Sequence, residues 1–156
     1  MPAVGRLPPS LVVHASTAEV GGAEASLLED LSAAGAAPLF LVPAEGPLAR
    51  AVVARGWSCK VLPWPPGLAS VTQRCWWILP FALPGLPLYL SRLHRELAGT
   101  GAVLSSGFKS HAACLLLSPW LGPRLRFDVR DFLKPAAARR TIAAACRRFG
   151  CRVSAN

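Results

Sequence analysis

The chain has 156 residues, 53% of them hydrophobic and 16% charged, and carries a formal net charge of +9. That apolar fraction excludes a disordered chain and suffices for one domain with a real core. No breaker-free apolar run of about 18 residues occurs, which argues against a transmembrane helix. The stretch before Ser10 holds Gly5, Pro8, Pro9 and one arginine, which does not fit a secretory signal.

The first predicted element is an apolar strand over 10–15, in which His14 reads as a core group. A loop through Gly21 and Gly22 leads into a helix over 23–34, whose Leu27, Leu28 and Leu31 share one face. Glu24 in its first turn supports the positive end of the helix dipole. The glycine pair lets backbone come close to a ligand where a Cβ would collide. A strand over 38–42 and a helix over 47–55 follow, the helix opening on Pro47, which is pre-set for a first turn. Gly35 and Gly56 stand where helix ends need a left-handed residue. A third strand is predicted over 59–62.

The stretch 63–87 then breaks the rhythm. It carries Trp64, Trp76, Trp77 and Phe81 among six prolines. A connection of that length is a candidate lid over the sheet edge or a membrane-interface contact, with packing slightly favoured because the prolines spoil an amphipathic helix. Beyond it come a helix over 86–97, a strand over 102–105, a helix over 109–117, a strand over 125–129, a helix over 136–149 behind Pro135, and a strand over 151–154. His94, between Arg92 and Arg95, reads as solvated.

Strand and helix alternate throughout, so the expected fold is a single α/β domain over 1–156. Its sheet is doubly wound and mostly parallel, with helices on both faces and strand order 3-2-1-4-5-6. Ligands of such sheets bind beyond the carboxyl ends of the strands, where the order reverses, here between the first and fourth strands. Three loops converge there and bring Gly21, Gly22, Lys109, His111, Arg130, Asp131 and Lys134. Glycines, cations, an imidazole and a carboxylate suit an anionic, hydroxyl-bearing ligand. Asp131 is either a partner of the neighbouring cations or the group that meets a hydroxyl or acts as base. Neither G-x-G-x-x-G nor G-x-x-x-x-G-K-[ST] is present, which argues against a nicotinamide cofactor and a P-loop; no cofactor is expected.

Five cysteines without a C-x-x-C pair support neither a disulfide framework nor a zinc site, so reduced thiols and no metal are expected. Between Arg124 and Arg152 nine basic residues face only Asp128 and Asp131. Such a bias implies phosphate groups or an anionic membrane, or is merely a solvated helix face. A nucleic-acid partner is not expected, because aromatics for base stacking are missing among the arginines.

The motifs Glu19-Val20-Gly21-Gly22-Ala23-Glu24 with Leu27, Pro43 with Gly46-Pro47-Leu48, and Gly56 through Pro63 come first in the chain. Ser105-Ser106-Gly107-Phe108-Lys109-Ser110-His111, Val129-Arg130-Asp131-Phe132-Leu133-Lys134-Pro135 and Cys151-Arg152-Val153-Ser154 follow. In this order they resemble the N-terminal domain of GT-B glycosyltransferases, of the retaining family 4 type. The resemblance implies a Rossmann-like half that binds the acceptor and touches the donor's phosphate or sugar through the Gly21-Gly22 loop. Arg130 stands where members often carry a histidine, so the resemblance puts Arg130 and Asp131 at the reacting centre and Gly21, Gly22, Lys109, His111 and Lys134 in substrate binding.

A second Rossmann-like half would hold the nucleotide-sugar. The chain is therefore expected to be the first half of such an enzyme, inactive alone. Acceptors of the family are often lipid-linked or polysaccharide, which implies a cytoplasmic protein, peripheral at the inner membrane face. The alternative is a non-catalytic basic α/β module that binds membrane or a partner.

Overall fold

The computed structural model describes residues 10–69, 83–129 and 136–154. Within them lies one sheet of six strands, β1 (Leu11–Ala15), β2 (Leu39–Val42), β3 (Ser58–Val61), β4 (Ala102–Ser106), β5 (Leu125–Asp128) and β6 (Arg152–Ser154). All five pairings are parallel and the order is β3-β2-β1-β4-β5-β6. The expected order is therefore the observed one, and β1 and β4 flank the switch point.

Among the described residues six α-helices cover the sheet: α1 (Gly22–Ala33), α2 (Pro47–Ala54), α3 (Leu86–Leu97), α4 (Phe108–Leu116), α5 (Ser118–Leu121) and α6 (Ala136–Phe149). Strand alternation divides the core in two. Val13 and Ala15 of β1 and Phe40 and Val42 of β2 pack with Leu27, Leu28 and Leu31 of α1 and Leu48 and Val52 of α2. Val12, Leu41, Val103 and Phe127 face the other way, onto Tyr89, Leu93 and Leu97 of α3, Ala113 and Cys114 of α4 and Ile142 of α6. Apolar strands buried on both faces are the mark of a parallel sheet.

The helix ends follow from their residues. Gly35 and Gly56 have φ of 63° and 75°, the left-handed region expected for them. Pro47 sits in the first turn of α2. The short helix α5 has no counterpart among the predicted elements. His94 differs from its expectation too: it is half-buried on α3, its ring edge-on to Trp120 at 6.3 Å between centroids. Pro135 and the tryptophans at 76 and 77 lie outside the described residues. Cys59, Cys114, Cys146 and Cys151 are free thiols.

Candidate functional site

The loop from Ser16 to Gly21 leaves β1 at the centre of the sheet's carboxyl edge and is held from three sides. Ser16 N–H donates to Ser106 O of β4 at 3.1 Å, and Leu48 N–H at the start of α2 donates to Ala18 O at 2.9 Å. Trp64, just past β3, donates its indole N–H to Ser16 O at 3.2 Å. Two glycines make this packing possible. A Cβ on Gly46 would stand 2.7 Å from Ala18 O, and one on Gly107 would overlap Ser16 Oγ.

Helices α1 and α4 start side by side at the switch point, because β1 and β4 are paired neighbours. Each has glycine at its N-cap, Gly21 and Gly107, and neither receives a side-chain cap. The first-turn N–H groups of both helices thus point beyond the sheet edge with their dipoles behind them. Glu24 Oε2 accepts from Gly21 N–H at 3.0 Å, the support at the helix start foreseen for it. Gly22 is exposed, and a Cβ built on it would meet nothing within 4 Å. Its φ is not in the left-handed region, so neither backbone nor internal packing requires glycine there. Glycine in a first turn is less favourable than alanine by roughly 0.5–1 kcal/mol, and what it leaves open is access from outside.

The site residues inferred from the sequence fall into three groups. Gly21 and Gly22 lie at the surface of the switch point. Lys109 lies in the first turn of α4, where its Nζ donates to Ala69 O at 2.6 Å and burial lowers its pKa. It anchors the end of the segment that follows Trp64. Lys109→Met is expected to lower stability by about 1 kcal/mol, the low end for a charged hydrogen bond because the group is partly exposed. Equilibrium unfolding in urea would measure it.

His111, two residues further along α4, is only 5% exposed. Its Nδ1 lies 2.8 Å from Ser105 Oγ, and its ring is edge-on to Phe127 at 5.7 Å. Burial lowers its pKa to about 4, while a hydrogen bond to the Asp128 backbone pulls the other way. Arg130, Asp131 and Lys134 lie outside the described residues.

Beneath the loops runs a buried polar network that the sequence reading reduced to one core histidine. His14 Nε2 lies 2.8 Å from the Tyr89 hydroxyl and Nδ1 lies 2.7 Å from Ser110 Oγ. Ser110 donates to the His14 carbonyl at 2.6 Å, so its oxygen is free to accept from Nδ1–H and the Tyr89 hydroxyl then donates to Nε2. Trp64 stacks on Tyr89 at 4.7 Å and meets the His14 ring edge-on at 5.3 Å. Burial, and next to it the nearby His111, lower the His14 pKa to about 3. Burial pushes the Cys114 thiol beside it up to about 12. None of these groups is poised to exchange protons with a substrate near neutral pH. They bind β1, α3, α4 and the Trp64 segment into one support for the loops above. Ser105, Ser106 and Asp128 are also buried, at the ends of β4 and β5. The sequence named the serines only as part of a motif and Asp128 only as a charge, without a role in the support beneath the loops.

A parallel, doubly wound sheet with two helix N-termini side by side at its switch point defines a Rossmann-like domain. Among solved structures, three of Anabaena HepE share this fold. The complex with UDP gives a TM-score of 0.63 at 14% identity, covering 90% of this chain and 35% of that one. The complex with UDP and glucose gives 0.60 at 16%, covering 90% and 36%. The complex with UDP-glucose gives 0.61 at 15%, covering 89% and 35%. The chain thus spans about a third of the length of HepE. No protein-family profile matches the sequence, and no curated protein is similar to it in sequence.

Proposed function

We propose that the chain is the acceptor-side half of a GT-B glycosyltransferase of the retaining family 4 type. In this reading it transfers a sugar from a nucleotide-sugar to a lipid-linked or polysaccharide acceptor. The observation that carries the proposal is the start of α1 at the switch point, where Glu24 takes only the Gly21 N–H and the space over Gly22 is open. It occurs in a fold shared with a protein solved with UDP-glucose. Diphosphates suit such a place, since two helix dipoles and unpaired N–H groups meet negative charge there. The order of motifs along the sequence supports the family assignment.

Gly21 and Gly22 admit the donor's phosphate or sugar. Arg130 and Lys134, in the stretch after β5, supply positive charge for the leaving diphosphate. Asp131 hydrogen-bonds the acceptor hydroxyl. Lys109 and His111 hold the α4 side of the cleft, Lys109 through Ala69 and His111 through Ser105. The second wall, with most of the nucleotide contacts, belongs to a second α/β half, so the chain alone is inactive. The protein works at the cytoplasmic face of a membrane, where its acceptor is presented. Among the described residues no helix is long and apolar enough to cross one.

Gly22→Trp tests this reading, because Gly22 is exposed and a Cβ there meets nothing within 4 Å. Titration of UDP-glucose followed by amide chemical shifts is expected to perturb the loops after β1 and β4 in the natural chain. The variant should weaken that binding at least about tenfold, which corresponds to about 1.4 kcal/mol. Shifts confined to α2 or α6, unaffected by Gly22→Trp, would overturn the assignment of the site.

A further inference from the structure

The two helix layers carry opposite charge. The stretch 16–57, which includes α1 and α2, holds five acidic residues and two arginines. The stretch 83–127, which includes α3, α4 and α5, holds five lysines and arginines and a single acid, Glu96. That acid is already paired, with Lys60 Nζ at 2.6 Å. Helix α6 packs through Ile142 into the same core as α3 and α4, and exposes Arg140, Arg147 and Arg148. The surplus charge of the described residues is therefore gathered on one side of the sheet.

The same side carries the exposed apolar surface. A groove of about 440 Å³ opens between α3 on one wall and α4 and α5 on the other, floored by Leu90 and Leu117. Trp120 and Leu116 stand on its rim, 63% and 50% exposed. On the outer face of α3, Leu88 is 55% exposed, and Arg92 and Arg95 are exposed beside it. The opposite face of that helix buries Tyr89, Leu93 and Leu97. Apolar side chains, a tryptophan and exposed arginines on the same helix layer fit a surface that is apolar within and anionic at its boundary. A nucleic acid would match the charge, but the leucines would gain nothing from it.

We infer that the α3–α5 face seats the protein on an anionic lipid membrane, with Trp120 and Leu116 at the acyl boundary and Arg92 and Arg95 at headgroup phosphates. The inference extends the membrane setting of the proposed function and does not depend on sugar transfer.

Sedimentation with vesicles of phosphatidylcholine alone, or equimolar with phosphatidylglycerol, tests it. The natural chain should partition onto the anionic vesicles only. Arg92→Gln with Arg95→Gln should reduce partition about 30-fold, at roughly 1 kcal/mol per arginine near such a surface. Trp120→Ser should abolish quenching of tryptophan fluorescence by lipids brominated in the acyl chain. Arg50→Gln with Arg55→Gln, on the other layer, should change nothing. Quenching that persists without Trp120, equal binding to neutral vesicles, or preference for an oligonucleotide over anionic vesicles would overturn the inference. UDP-glucose titration of the same variants is expected to match the natural chain, so a failure of membrane binding is separable from a failure of the donor site.

Discussion

Gly107→Ala is expected to cost about 3 kcal/mol of folding stability, a substantial fraction of what a domain of this size has to spare. Gly107 has φ 83° and ψ 161°, a region that only glycine occupies freely. Forcing an L side chain there costs about 1–3 kcal/mol. The new Cβ would also overlap Ser16 Oγ, and overpacking of that kind adds about 1–3 kcal/mol. The two contributions can be separated. In the double variant Ser16→Gly with Gly107→Ala the overlap is gone and only the backbone cost of Gly107→Ala remains. Urea unfolding of the four chains should therefore show a favourable coupling of more than about 1 kcal/mol between the two positions. Additive single changes would mean that Ser16 and Gly107 are not in contact. The contact matters to the site because it locks the loop of α1 against the start of α4.

Much of this frame was legible in the sequence because the fold repeats a simple signal. Short apolar runs alternate with longer runs of helical period, and Gly35, Gly56 and Pro47 mark boundaries by conformations few other residues adopt. The predicted strands agree with the observed ones to within about a residue, the usual uncertainty of such boundaries. Helix α5 was hidden because Pro119 reads as a breaker, although it occupies a first turn, where proline is tolerated.

The site was legible only as a location. His111 stands near a helix start, which suggested a ligand-facing ring. The buried stripe of α4 is Ser110, His111, Ala113 and Cys114, and a stripe with so few apolar residues leaves little periodic signal. His94 was misread because two arginines flank it in sequence, whereas Trp120, the residue its ring meets, lies 26 positions away. Pairings of that range, like those of Tyr89 and Ser110 with His14, leave no local trace.

The buried histidines predict a steep loss of stability in mild acid. Both have pKa values lowered from 6.5, His14 to about 3 and His111 to about 4, chiefly because burial penalises the charged ring. The folded chain keeps both rings neutral while the unfolded chain protonates them, so between those values and 6.5 the unfolded state binds more protons. Stability is then full above pH 6.5 and falls as the pH drops toward 4. Each ring contributes up to about 1.4 kcal/mol per pH unit well below 6.5, or about 2 kcal/mol each between pH 7 and pH 5. The unfolding free energy measured by urea titration across that range should fall accordingly, by about 4 kcal/mol for the two rings together. His111→Gln keeps a polar side chain beside Ser105 without the titration, and should remove roughly half of the pH dependence whatever its cost at pH 7. A stability profile flat from pH 7 to pH 5, or a slope unchanged in His111→Gln, would mean that the rings beneath the site are open to protons and that the network bracing β1 against α3 and α4 is looser than its hydrogen bonds imply.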